Sequence, residues 1–552
     1  MNYDPKNGIL SKQESQQATP PPNTAFYQNP YLQTINPQQC PVFQVTPMIK
    51  PTYRGVDVLF AWLSVAVGFL FVRAMPLNQT TLGSLLFFLL LYAFGGIYLH
   101  LSGVRLTRPA YLLAVGAVIL SVGLLTNGNA TTRGFLALFL ALAFPFWLYC
   151  AAGLGGREIL GDALIPYACR AFFVIPFTSL EHVFRALFAF RKRDAGAARV
   201  LRTVGWIALG LCVAVIPTLI VVLLLSYDSN FTGLLNRIFS FSMDGVWECI
   251  RDLILGFLVS IVVFGILFGV RWRHEKSEGS PEKPTKVDLH VLPKALLCAA
   301  VTPILAVYVI FFISQWDYYV SAFTHVLPGD LTYAAYAREG FFQLCGVCAL
   351  NAVILLLFRL LMRRGSKPRD PVQGLYSSVI SIFTLILIAT AMSKMILYID
   401  SYGLTQKRVY ASWLMLVLAI VFVLVLISTV FKKIHLIPAI ALAAVLCFGL
   451  IVLPDVDGMI ASYNVDAYLD GDLREIDVES IAEYGASSVP ALVELRDTLS
   501  ARPTTPETDA ILRRTDFALY VIKQDLDNRP DGFFYFNFPD VRARTFLESP
   551  DL

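Results

Sequence analysis

Apolar residues in this chain do not alternate with polar ones; they come in long unbroken runs. Stretches free of Asp, Glu, Lys and Arg fall at 58–72, 74–99, 109–132, 134–156, 203–227, 253–270, 295–316, 340–358, 371–393, 409–431 and 436–454. A helix needs about 20 apolar residues to cross the ~30 Å hydrocarbon core of a bilayer. A charge at mid-membrane costs at least ~2.5–3.5 kcal/mol, and an isolated span satisfies its own backbone only as a helix. The runs predict an all-α fold, a polytopic transmembrane helix bundle of about 11 spans within residues 51–454. The spans are expected near 56–75, 80–100, 109–128, 134–154, 203–226, 252–270, 295–316, 340–361, 374–394, 409–431 and 436–454. Asp57 and Arg73 flank the shortest run, where they can snorkel to the two interfaces.

Three other segments read differently. Residues 1–50 are rich in Gln, Pro, Asn and Thr and lack the apolar core of a signal peptide. They are expected to be a disordered cytoplasmic tail, with too little apolar surface to offset the entropy of ordering. Residues 164–190 are rich in Phe but interrupted by Arg170, Glu181, His182 and Arg185. Pro166 and Pro176 are expected to kink or break this stretch. Beyond Pro176, Leu180, Phe184 and Leu187 share one helix face and Glu181, His182 and Arg185 another. This predicts a cytoplasmic interfacial helix, with a re-entrant element as the alternative. Residues 455–552 predict a small, acidic, extracytoplasmic helical domain. Its helices are read at Ile476–Tyr484, at Ala491–Leu499 after Pro490, and at Thr508–Leu526. In the last of these, Leu512, Phe517, Leu519, Tyr520 and Ile522 are the apolar positions.

Composition and charge agree with this division. Of 552 residues, 56% are hydrophobic and 15% charged, against roughly 25% charged in a typical soluble domain. A single soluble globule is excluded. Residues 455–552 carry 20 acidic and 9 basic side chains, whereas residues 1–454 carry 20 acidic and 35 basic ones. With the N-terminus taken as cytoplasmic, the cytoplasmic segments hold 27 Lys and Arg and the opposite loops 8. This bias sets the expected orientation, N-terminus cytoplasmic and C-terminus extracytoplasmic. Only the loop around Lys407 and Arg408 departs from the alternation.

Several stretches carry a resemblance: FTHVLPGDLTYAAYAREGFFQLC at 323–345, YGLTQKRVYASWLM at 402–415, YNVDAYLDG at 463–471, VPALVEL at 489–495 and FNFPDVRAR at 536–544. With these the chain resembles an uncharacterised family of bacterial polytopic membrane proteins, one of the domain-of-unknown-function classes. The resemblance covers roughly residues 50–545 and implies a bacterial cell-membrane location. It implies no reaction.

The most distinctive polar residues gather on the expected outer side. Asp317, His325, Tyr333, Tyr336, Arg338 and Glu339 precede span eight, and Lys394, Asp400, Tyr402 and Arg408 lie between spans nine and ten. Together they suggest an outward-facing pocket in which Arg338 or Lys394 meets an anionic group; packing and charge pairing at helix ends is the plainer alternative. Asn351, mid-span, should face another helix rather than lipid. No phosphate loop, nucleophile elbow, zinc-protease or dinucleotide motif is present. Cys345 and Cys348 lack the second pair that a zinc site requires. No catalytic residue, metal or cofactor is assigned. The expected partners are the lipid bilayer and proteins reached through residues 1–50 or 455–552, not nucleic acid. Three functions stay open. Transport of a small solute or ion comes first, then an envelope sensor or accessory scaffold, then an enzyme acting on a lipid-linked substrate.

Overall fold

A computed structural model describes residues 51–74, 81–156, 164–187, 243–277, 292–314, 341–362, 371–431, 434–503, 505–530 and 532–548, with a few single positions between. The expected tail at 1–50 and the expected span at 203–226 lie outside these residues. The described chain is helical, and its sole β-type pairing is an isolated bridge between Leu292 and Met362. Among the described residues, eight helices are long and apolar enough to cross a membrane. A ninth is counted if the pair Leu436–Val452 and Val456–Leu469, bent by 61°, forms one span. The chain is a multi-pass membrane protein.

The first group of helices is α1 (Gly55–Ala74), α2 (Thr81–Leu101), α3 (Arg108–Ser121), the single turn α4 (Gly123–Thr126) and α5 (Ala130–Ala151). Next come α6 (Leu164–Cys169), a π-turn at Arg170–Val174, α7 (Ile175–Ser179), α8 (His182–Leu187) and the long α9 (Met243–Lys276). They share one apolar core. The organising pair is α1 with α9. Each begins near an aspartate and ends near an arginine, so antiparallel packing matches opposite charges at both ends. At the end where α1 starts, here called proximal, Asp57 meets Arg271 at 3.4 Å, both essentially without solvent exposure. Asp57 also accepts from the Tyr98 hydroxyl at 2.7 Å and the Arg54 amide at 2.6 Å. At the opposite, distal end, Arg73 meets the fully buried Asp252 at 2.8 Å. Between these clamps the backbones of Gly68 and Gly256 touch. A Cβ on Gly68 would fall inside the radius of the Gly256 carbonyl oxygen. Such close approach is how small residues hold membrane helices together by dispersion.

Two expectations for residues 164–190 are corrected. Breaking the helix, one of the two outcomes expected of the prolines, occurs at neither: Pro166 sits in α6 and Pro176 in the first turn of α7, with a π-turn between. The break comes later, at Leu180–Glu181. The buried face of α8 is His182, Val183, Ala186 and Leu187, while Phe184 points outward. His182 is drawn inside because Tyr53 holds its Nδ1 at 2.9 Å and Phe268 packs on its ring.

The second group has its own core. It comprises α10 (Lys294–Ser314), α11 (Phe341–Leu361), α12 (Pro371–Tyr402), α13 (Gln406–Val430) and α14 (Leu436–Val452). Helix α14 joins the two groups: Leu436 belongs to the second core and Val452 to the first. Beyond it, α15 (Val456–Leu469), α16 (Val478–Ala482), α17 (Val489–Ser500), α18 (Pro506–Asn528) and α19 (Phe538–Leu547) close around a third core. Pro490 occupies the first turn of α17, where its missing N–H is harmless. In α18 the core face is Ile511, Thr515, Ala518, Leu519, Ile522 and Leu526. Of the apolar positions read from sequence, Leu519 and Ile522 are buried, while Phe517 and Tyr520 are 69% and 64% exposed.

Two outcomes test this packing. Gly68→Val forces α1 off α9 and should cost about 1–3 kcal/mol, the usual penalty of overpacking, in unfolding of the detergent-solubilised chain. Asp57→Asn removes the buried carboxylate that faces Arg271, leaving it Glu275 at 3.6 Å; the loss should stay below the ~3–5 kcal/mol of a fully broken buried pair, and adding Arg271→Gln should recover much of it.

Candidate functional site

The chain bends by 61° between α14 and α15, and polar groups concentrate at this corner, Leu453–Asp457. It is sewn to the turn between α4 and α5. Thr126 Oγ1 donates to the Leu453 carbonyl, and Asn127 Nδ2 donates to the Pro454 carbonyl at 3.2 Å. Asn129 caps α5 by accepting from the amides of Thr131 and Thr132, and its Nδ2 donates to Asp457 at 3.2 Å. From α13, Gln406 Nε2 donates to the other oxygen of Asp457 at 2.8 Å. Ser487 Oγ donates to Asp455 at 2.9 Å. Both aspartates are thus satisfied by uncharged donors.

Beside this corner lies a cavity of about 660 Å³. Leu82 and Ala130, from the first turns of α2 and α5, form part of its wall, and the segment from Arg529 to Arg544 forms much of the rest. Among the described residues that line it are three arginines, Arg133, Arg529 and Arg544, and one carboxylate, that of Asp540. Arg529 is engaged by Asp525 and Asp540, at 2.6 and 2.7 Å. Arg544 Nη2 donates to the Leu526 carbonyl at 2.7 Å. Arg133 differs. It is 8% exposed, its Nη1 reaches only the carbonyls of Asn127 and Gly128, and its buried Nε has no partner. Asp540 acts on it through space without a bond; a guanidinium buried without a bonded carboxylate is expensive, so an anionic group in the cavity would have a ready site. Sequence reading passed over Arg133 because it borders an apolar run and looks like an interfacial charge. Nothing local in the sequence shows that the acidic tail leaves it without a bonded carboxylate.

The residues singled out from sequence divide into three sets. Asp317, His325, Tyr333, Tyr336, Arg338 and Glu339 lie outside the described residues. Lys394 is buried in α12, while Asp400 and Tyr402 are exposed at its distal end. Arg408 closes that end: its Nη1 donates to the carbonyls of Tyr402 and Gly403, and its guanidinium lies 4.0 Å over the Tyr398 ring. The adjoining Leu404 backbone is paired at both amide and carbonyl by the Asn464 side chain, at 2.6 and 2.9 Å. The YGLT and YNVD stretches therefore meet and dock α15 onto the α12–α13 turn. Asn351 is fully buried; it accepts from Tyr308 at 2.6 Å and donates to Thr384 at 2.9 Å, linking α10, α11 and α12. Among the described residues no group of three His, Cys, Asp or Glu side chains is placed to hold a metal ion.

A family model described as Domain of unknown function (DUF4153) matches residues 114–495. The matched region includes the corner and Arg133 but not Arg529, Asp540 or Arg544. No curated protein and no solved structure matches the chain.

The corner also carries a pH dependence. Burial raises the carboxyls of Asp455 and Asp457 above their ordinary value, against the opposing effect of their hydrogen-bond donors. A carboxyl raised in the folded state binds its proton more tightly there. Its stabilising contribution is complete below the unfolded value and is lost as pH rises through the folded one. The expected outcome is a stability of the full chain that falls as pH climbs above the usual carboxylate range. The double variant Asp455→Asn with Asp457→Asn should flatten that slope in denaturant unfolding followed across pH. Equal slopes for both proteins would refute this assignment.

Proposed function

The chain belongs to the family described as Domain of unknown function (DUF4153), and from that premise we propose that it is a binding protein of the bacterial cell membrane. In this reading it acts as an envelope sensor or accessory scaffold whose C-terminal helices and membrane helix ends together hold an anionic ligand. The observation that carries the reading is Arg133, buried beside a cavity with no carboxylate bonded to it. An anion there would join the two parts of the molecule, because Arg133 comes from α5 and Arg544 from α19.

The orientation follows the Lys and Arg bias, with the proximal end cytoplasmic and the distal end outside. Eleven spans are kept as a proposal, beyond the eight or nine candidates among the described residues. Helix α5 ends beside His274, near the end of α9, so α5 finishes where α9 also finishes. A span at 203–226 would carry the chain back to the start of α9. Protein partners have a contact surface in Phe517, Tyr520 and Val521, exposed together on α18. Transport is the second reading, supported by the hydrogen-bonded series Tyr308–Asn351–Thr384 across three membrane helices.

The test is anion-specific stabilisation. Full-length protein in uncharged detergent should unfold at a higher temperature in phosphate than in chloride of equal ionic strength. At a hundredfold excess over Kd the gain is about 2.7 kcal/mol. Arg133→Gln should abolish the difference. Identical unfolding in both salts would remove the reading.

A further inference from the structure

We infer that the anionic group is the phosphate of a glycerophospholipid of net negative charge in the distal leaflet, so that the cavity is an anionic-lipid headgroup site. The inference rests on the anion-binding reading and adds the identity of the ligand. Three observations converge on it.

The first is depth. The cavity wall includes Leu82, Ala130 and Arg133, on the first turns of two helices that are apolar enough to cross a membrane. First turns of spanning helices lie at headgroup level. The C-terminal segment is fastened at the same level, because Thr81 at the start of α2 donates its hydroxyl to the carbonyls of Tyr535 and Phe536.

The second is the apolar fringe. Phe533 and Phe536 line the cavity yet are 70% and 39% exposed, and Phe534 and Phe538 beside them are 56% and 50% exposed. Four phenylalanines in water would be a costly surface, whereas aromatic rings at the membrane interface form a favourable belt. A free phosphate ion would give this fringe no role. The glycerol and upper acyl carbons of a lipid would cover it.

The third is charge. Arg133 supplies a buried N–H without an acceptor, and a guanidinium matches phosphate geometry well. Asp540 opposes an anion, but it is already bound by Arg529 at 2.7 Å and by Asn537 at 2.8 Å. The donor left for the phosphate is the unbonded Nε of Arg133, with Arg544, which also faces Asp527 at 3.8 Å, as a neighbouring charge.

The experiment uses the full chain in nanodiscs of phosphatidylcholine with or without phosphatidylglycerol, followed by native mass spectrometry after release into mild detergent. Inorganic phosphate is a separate arm, read by thermal unfolding. The expected result is one phosphatidylglycerol retained per chain. Retention should fall about tenfold or more in Arg133→Gln, the loss expected for a charge-assisted hydrogen bond. The exposed double variant Phe533→Ser with Phe536→Ser tests the fringe without touching a core. It should lower lipid retention and leave stabilisation by inorganic phosphate unchanged. If phosphate stabilises the protein and phosphatidylglycerol is retained no better than phosphatidylcholine, the lipid inference is overturned and the anion site stands. If neither anion distinguishes the natural chain from Arg133→Gln, the anion-binding reading fails as well.

Discussion

The polar corner between α14 and α15 sets much of the rest. After α14 the backbone turns sharply, and the carbonyls of Leu453 and Pro454 and the carboxylates of Asp455 and Asp457 are drawn into the structure. Buried polar groups are costly without partners. Here the partners come from the α4–α5 turn, from the start of α13 and from Ser487. Satisfying that one corner therefore fixes the first helix group, the second helix group and the C-terminal helices against one another. The cavity follows from it: the corner is fully occupied by uncharged donors, and Arg133, one turn into α5, is left to face the adjoining space.

The same logic of antiparallel matching governs the α1–α9 pair. Ion pairs at both ends of two apolar helices fix direction and register, and dispersion at Gly68 and Gly256 supplies close packing between them. Charges at the ends of spans are often interfacial anchors. Asp57 and Arg271 are instead buried together, with Tyr98 and Glu275 completing the cluster.

Much of the secondary structure was legible because membrane spanning imposes a strong rule on sequence. The charge-free runs coincide closely with α1, α2, α5 and α10 to α14, and Pro490 marked the start of α17. The partners were not legible. Asp57 and Arg271 are 214 positions apart, although the shared pattern of an aspartate before and an arginine after the apolar run of α1 and of α9 hints at antiparallel pairing. His182 was read as polar and outward; its burial depends on Tyr53 and Phe268, remote in sequence. The YGLT stretch stood out as distinctive, but its structural part, pairing with Asn464, needed the fold. Arg133 stayed hidden because the lack of a bonded carboxylate is a property of the tertiary neighbourhood alone.

The central claim is that the docked C-terminal helices and the membrane helix ends enclose an anion-binding cavity at Arg133. The most direct measurement is a cryo-electron microscopy map of the full chain in a lipid nanodisc. The account predicts non-protein density in the cavity within hydrogen-bond reach of Arg133 Nε, with α15 to α19 seated on the distal end. A cavity without density, with the Arg133 guanidinium turned onto a protein carboxylate, would contradict it.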